Sequence, residues 1–139
     1  MAERNSRPHK RVRVVTAATA LWLVINLGAC RPDAAIDREA ARLRQRTMPP
    51  GARPIGEVRP VRRWFSFEST WEFEVDRGWH DYAPSVRGTL KPDFELASVS
   101  TSGLTFVRQL PGDYHSLRIT VVSGGLPLRV RVVFEARPS

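Results

Sequence analysis

The fold of this chain turns on residues 64–76, WFSFESTWEFEVD. Phe65, Phe67, Trp71, Phe73 and Val75 fall on one side of an extended chain, and Ser66, Glu68, Thr70, Glu72, Glu74 and Asp76 fall on the other. Side chains alternate across a strand with a period of two, so the stretch predicts a half-buried antiparallel strand with an apolar face and an acidic face.

Downstream, Trp79, Tyr82, Ala83, Val86, Leu90 and Phe94 recur at helical spacing. A helix opening between Gly78 and Asp81 keeps Pro84 near the first turn, where backbone N–H groups lack intrahelical partners, and Pro92 closes it. Gly88 weakens that helix by about 1 kcal/mol. Four more strands are predicted over residues 94–101, 104–110, 114–122 and 126–136. Between them lie Ser102-Gly103, Pro111-Gly112-Asp113 and Ser123-Gly124-Gly125, which reverse a chain readily. In the last strand Leu126, Leu128, Val130, Val132 and Phe134 point inward while Arg129, Arg131 and Glu135 point outward. The expectation for residues 64–139 is therefore an α+β domain, one helix packed on an antiparallel sheet of about five strands. The order strand, helix, four-strand meander is similar to the cystatin-like arrangement. That likeness lies in element order alone and implies no activity.

Upstream, residues 30–63 read as a basic tether. Asp33 is placed to cap a short helix with Asp37 in its first turn and Arg42, Arg44 and Arg46 near its end, an order that suits the helix dipole. Ala34, Ile36, Ala40, Ala41 and Leu43 form only a thin apolar stripe, so the segment is either solvated or laid on the membrane or the domain. Pro49, Pro50, Gly51, Pro54, Gly56 and Pro60 then predict an extended, mobile stretch without regular structure.

Residues 1–29 have the layout of an export signal. Arg4, Arg7, Lys10, Arg11 and Arg13 precede an uncharged apolar run from Val14 to Ala29. As a helix that run spans roughly 24 Å, short of the ~30 Å hydrocarbon core, which favours a cleaved signal over a permanent anchor. Leu27-Gly28-Ala29-Cys30 resembles the lipobox of bacterial lipoproteins. The resemblance implies diacylglycerol transfer to the Cys30 thiol, cleavage between Ala29 and Cys30, and a lipid-anchored protein of the cell envelope. Arg31, standing where Asp favours inner-membrane retention in the enterobacterial pattern, leans the expectation towards the outer membrane, facing the periplasm, in a host that has one. The competing reading is an uncleaved membrane anchor.

Charge separates the same segments. Of 22 basic and 14 acidic residues, residues 1–29 carry a net +4, residues 31–63 a net +5 and residues 64–139 a net −1. Arg residues near an anionic lipid surface each gain up to about 1 kcal/mol. Nucleic acid is not an expected partner, because the basic stretch lacks the interleaved aromatic residues that stack on bases. Cys30 is the one cysteine, which excludes an internal disulfide.

No glycine-rich nucleotide loop, paired-His metal motif or nucleophile elbow is present, so no cofactor is expected. The best polar cluster is His80 and Asp81 with Asp113 and His115. It suits zinc or acid–base chemistry if the helix start meets the turn before residue 114, and otherwise consists of cap and turn residues. Trp71, Trp79 and Tyr82 belong either to the core or to a ligand groove. Trp64 falls on the polar side of its strand, as a tether contact or part of a binding surface. The acidic residues Glu68, Glu72, Glu74 and Asp76 are either a solvated face or a dock for the basic tether. These features together predict a non-enzymatic, membrane-anchored module that meets an envelope protein, with a ligand-binding, metal-binding or weakly hydrolytic protein as the alternative.

Overall fold

Alternation in the WFSFESTWEFEVD stretch produces an interior strand, next to the edge, of a six-stranded antiparallel sheet. The computed structural model describes residues 31–139, and Cys30 with residues 1–29, where the export signal and its cleavage site are expected, lies outside the described residues. Helix α1 (Arg31–Thr47) is followed by β1 (Arg53–Arg63), β2 (Ser66–Val75), helix α2 (Trp79–Leu90), β3 (Glu95–Ser100), β4 (Gly103–Leu110), β5 (Asp113–Ser123) and β6 (Leu128–Pro138). The sheet order is β1-β2-β6-β5-β4-β3, so β6 closes the meander back onto β2, with Phe73 opposite Val130 and Phe67 opposite Ala136.

Both helices lie on one face. Phe67, Trp71, Phe73 and Val75 of β2 join Leu128, Val130, Val132 and Phe134 of β6, Leu117 and Ile119 of β5, and Leu104 and Phe106 of β4 beneath Tyr82, Val86 and Leu90 of α2 and Ala40 and Leu43 of α1. The other face is open and charged, as antiparallel sheets tolerate. Glu72 there accepts from Arg131 Nε (2.7 Å) and Arg129 Nη2 (3.1 Å).

The α+β expectation holds, but the sheet has six strands and two helices cover it. The difference comes from residues 31–63, which are not a tether. Helix α1 spans Arg31–Thr47, so Asp33 falls within the helix and not before it. Ile36, Ala40, Leu43 and Thr47 face the sheet at helical spacing, and Leu43 is fully buried. A turn at Pro49-Pro50-Gly51, closed by Ala52 N–H donating to the Pro49 carbonyl (3.0 Å), leads into β1. Gly51 has φ +83°, which suits the third position of such a turn. The prolines that argued against a strand are compatible with this one because β1 is an edge strand, and a proline there need not break the ladder. Gly56, at φ +65°, sits in a bulge between Ile55 and Arg59 that absorbs the remaining mismatch.

Smaller departures have similar local causes. Phe65 does not face inward: it and Trp64 form the two-residue turn between Arg63 and Ser66. Leu126 is 76% exposed in the loop before β6. Pro84 lies beyond the first turn of α2, so one helical hydrogen bond to the His80 carbonyl is forgone at an exposed position.

Candidate functional site

A largely buried polar cluster lies where α1 and the residues after α2 meet the β4–β5 hairpin. Arg108 faces inward from β4. Its Nη2 donates to Glu39 Oε1 on α1 (2.8 Å) and to His115 Nδ1 on β5 (2.9 Å), and its guanidinium lies 4.5 Å from the centre of the Phe94 ring. His115 is 5% exposed and meets Phe134 edge-on, with ring centres 5.4 Å apart. A guanidinium has no acceptor, so His115 Nδ1 accepts and the proton resides on Nε2. Burial first, and the Arg108 charge second, hold the imidazole pKa below its usual 6.5. With its Nδ1 lone pair committed to Arg108, this ring ties β5 to α1 through Arg108 and Glu39.

The other residues singled out from sequence are not gathered around it. His80 and Asp81 are exposed in the first turn of α2, which follows Val75 at one end of β2. Asp113 is exposed at the start of β5 and pairs with Pro138. Val75 pairs with Leu128, ten residues from Pro138 along β6, a separation of about 33 Å in a strand. The four therefore do not form one site, and among the described residues no cluster of His, Cys, Asp and Glu suits a metal ion.

Trp71 and Tyr82 belong to the core, and Trp79 packs against it. Trp71 Nε1 donates to Thr47 Oγ1 (3.1 Å) and Tyr82 Oη donates to the Thr47 carbonyl (2.9 Å). Burial pushes the Tyr82 phenol pKa well above its ordinary 10. The acidic face receives only part of the basic segment: Arg53 of β1 binds Asp76 through both terminal nitrogens (3.0 and 3.1 Å), while Glu72 is taken by Arg129 and Arg131 of β6.

One feature went unread in the sequence, and a second was read only in part, through Trp64. A groove of about 630 Å³ runs between α2 and the β3–β4 edge, walled by Phe94, Leu96 and Phe106 and flanked by Arg87 and Lys91. Phe94 was legible as the end of a helical stripe and the start of a strand, and nothing in the periodicity distinguishes a groove wall from core. The second feature is the β1–β2 turn. Trp64 is 95% exposed and Phe65 is 75% exposed, with ring centres 6.3 Å apart, and Arg59 and Arg63 are exposed on the strand leading to them. The available signal was the pair Arg62-Arg63 before Trp64-Phe65, a basic run ending in two aromatics without an intervening turn former.

Comparison with known protein families, with characterised proteins and with solved structures found no match.

Proposed function

We propose that this chain is an exported protein held at a membrane through acylated Cys30, and that its folded part is a non-enzymatic binding module for an envelope protein or another envelope component. The run Leu27-Gly28-Ala29-Cys30, behind a basic and then an apolar segment, carries this reading. The fold supports it in spatial terms. Ala40, already buried on the sheet, is ten residues beyond Cys30, so even a fully extended chain gives the folded unit a reach of about 35 Å. A module on so short a leash works near the bilayer surface. Arg31 after the cysteine favours the outer membrane, with the domain in the periplasm, in a host with two membranes. The cystatin-like element order contributes no activity to the proposal.

Replacing Cys30 by Ser should abolish acyl labelling and leave the precursor unprocessed by the lipoprotein peptidase. Normal processing and membrane retention of that variant would overturn the anchor. Crosslinking the lipidated protein in its own membrane, followed by mass spectrometry, tests for the partner. Metal-dependent hydrolysis by the purified protein, lost on His80→Ala or His115→Ala, would overturn the non-enzymatic part.

A second reading, carriage of a small amphiphile, is favoured by the groove between α2 and β3–β4. Its apolar wall suits an acyl chain, and Arg87 and Lys91 suit an acidic head. A Cβ at Gly88 meets nothing within 4 Å, so Gly88→Trp places a ring at the groove without disturbing the core. Saturable binding of a fluorescent fatty acid, lost in that variant, is the expected result; absence of saturable binding ends this reading.

A further inference from the structure

We infer that the β1–β2 hairpin tip is a second membrane contact, with Trp64 and Phe65 entering the interface of an anionic bilayer and Arg59 and Arg63 resting on its headgroups. This inference rests on the anchoring of Cys30 proposed above.

Four observations converge on the tip. The first is exposure of two adjacent aromatic side chains, both at a two-residue turn and both turned away from the core. Placing them in water forgoes an apolar transfer that shifts an equilibrium at least about tenfold for each large side chain. The second is shape. The tip is convex, so it suits insertion into a deformable medium, where tryptophan concentrates at the headgroup level.

The third is charge. Arg63 is exposed directly before the aromatics and Arg59 is exposed five residues earlier on β1, about 16 Å along the strand, and among the described residues neither makes an ion pair, so both are available to headgroup phosphates. Arg62, on the helix-facing side, is instead paired with Asp37 and lies over the Phe67 ring at 5.3 Å. The fourth is position. That Arg62–Asp37 pair fixes the hairpin against the second turn of α1, and Asp37 is only seven residues from Cys30, about 25 Å of chain at full extension. An anchor at Cys30 therefore leaves no more than that length of chain between the bilayer and the helix residue that holds the hairpin.

The loop before β6 offers a contrast. Leu126 is also apolar and exposed, as is Val122 in the same β5–β6 hairpin, but neither is aromatic, and this loop lies near Leu128, eight strand positions from Ala136 and the tip, or about 27 Å. Mere exposure of an apolar side chain thus occurs at both ends of the sheet, whereas paired aromatics, free cations and proximity to the anchor occur together at one.

The test places the photocrosslinker p-benzoylphenylalanine at position 64, or at position 126 as control, in the full chain. The purified protein is reconstituted into vesicles of equal parts phosphatidylglycerol and phosphatidylcholine. A lipid adduct at 64 about tenfold above that at 126 is expected, in line with the transfer of a large aromatic side chain from water. Adding Arg59→Ala and Arg63→Ala should reduce that adduct by up to about fivefold for each Arg lost, and pure phosphatidylcholine vesicles should reduce it likewise. A protein adduct, or lipid labelling no greater than at 126, overturns the inference and, in the first case, makes the tip a protein-docking element. Acyl labelling of Cys30 is read on the same samples. Acylation without a lipid adduct at 64 removes the tip contact and leaves the anchor standing. A lipid adduct without acylation removes the anchor and leaves the tip contact standing.

Discussion

Helices α1 and α2 cover the same sheet face, yet different forces seat them. Helix α2 contributes Tyr82, Val86 and Leu90, all nearly inaccessible, and Tyr82 meets Phe73 and Trp79 with ring centres 5.9 and 5.8 Å away. Helix α1 buries little apolar volume, chiefly Ala40 and Leu43, and depends on polar seats along its length. Asp37 holds Arg62, Glu39 holds Arg108, and Arg46 holds Asp93 and the Thr89 carbonyl in the last turn of α2. Thr47 receives Trp71 and Tyr82. Apolar burial is non-directional and would let a helix slide or rotate. Directional hydrogen bonds fix where α1 lies, and with it the hairpin that Arg62 ties to it.

The sharpest way to break this contrast is to truncate one buried leucine in each helix. Leu90→Ala and Leu43→Ala each remove a side chain with no exposure and should each destabilise the fold by about 2–5 kcal/mol in denaturant unfolding. If Leu43→Ala changes stability by less than about 1 kcal/mol while Leu90→Ala stays in that range, α1 is not part of the cooperative unit.

A second test addresses the polar seat directly. Thr47 Oγ1 donates to the Leu43 carbonyl (2.9 Å) and accepts from Trp71 Nε1. Thr47→Val keeps the shape but leaves the buried indole N–H without its acceptor, at about 1–3 kcal/mol. Thr47→Ser should restore most of that loss. Tyr82→Phe, which removes the donor to the Thr47 carbonyl, should be milder, near 1 kcal/mol. Equal stability of Thr47→Val and the parent protein would show that the Thr47 seat does not hold α1.

The same contrast explains what could be read in advance. Strand β2, helix α2 and the meander were legible because burial imprints a period of two or of about 3.6 on apolar residues, and Phe73, Val86 and Val132 obey it. Helix α1 was legible as a helix but not as a packed one, since its stripe contains alanines and a threonine whose value lies in partners distant in sequence. Strand β1 was misread because Pro54 and Pro60 exclude a central strand but not an edge, and edge status is a property of the assembled sheet. His115 looked like a surface turn residue beside Asp113. Its burial follows from the alternation of β5, in which His115, Leu117 and Ile119 share the inward face, and its partner Arg108 follows Leu104 and Phe106 on the inward side of β4.

His115 also supplies the subtlest test, because its link to α1 runs entirely through Arg108 and Glu39. Its folded pKa lies below the unfolded value of 6.5. Above about pH 6.5 both states hold the neutral ring and its contribution is present in full. As the pH falls through that value the unfolded chain takes up the proton first, and stability drops by at most about 1.4 kcal/mol per pH unit until the folded pKa is reached. Protonation in the folded state sets a cation against Arg108 and takes Nδ1 away as an acceptor. The loosening should therefore reach α1 before α2. Amide protection factors over residues 40–47 should fall more than those over residues 82–90 between about pH 7.5 and about pH 5.5, and His115→Phe should abolish the difference. A parallel fall in both helices would mean that acid acts on the fold as a whole, and that the Glu39–Arg108–His115 chain does not distinguish the two helices.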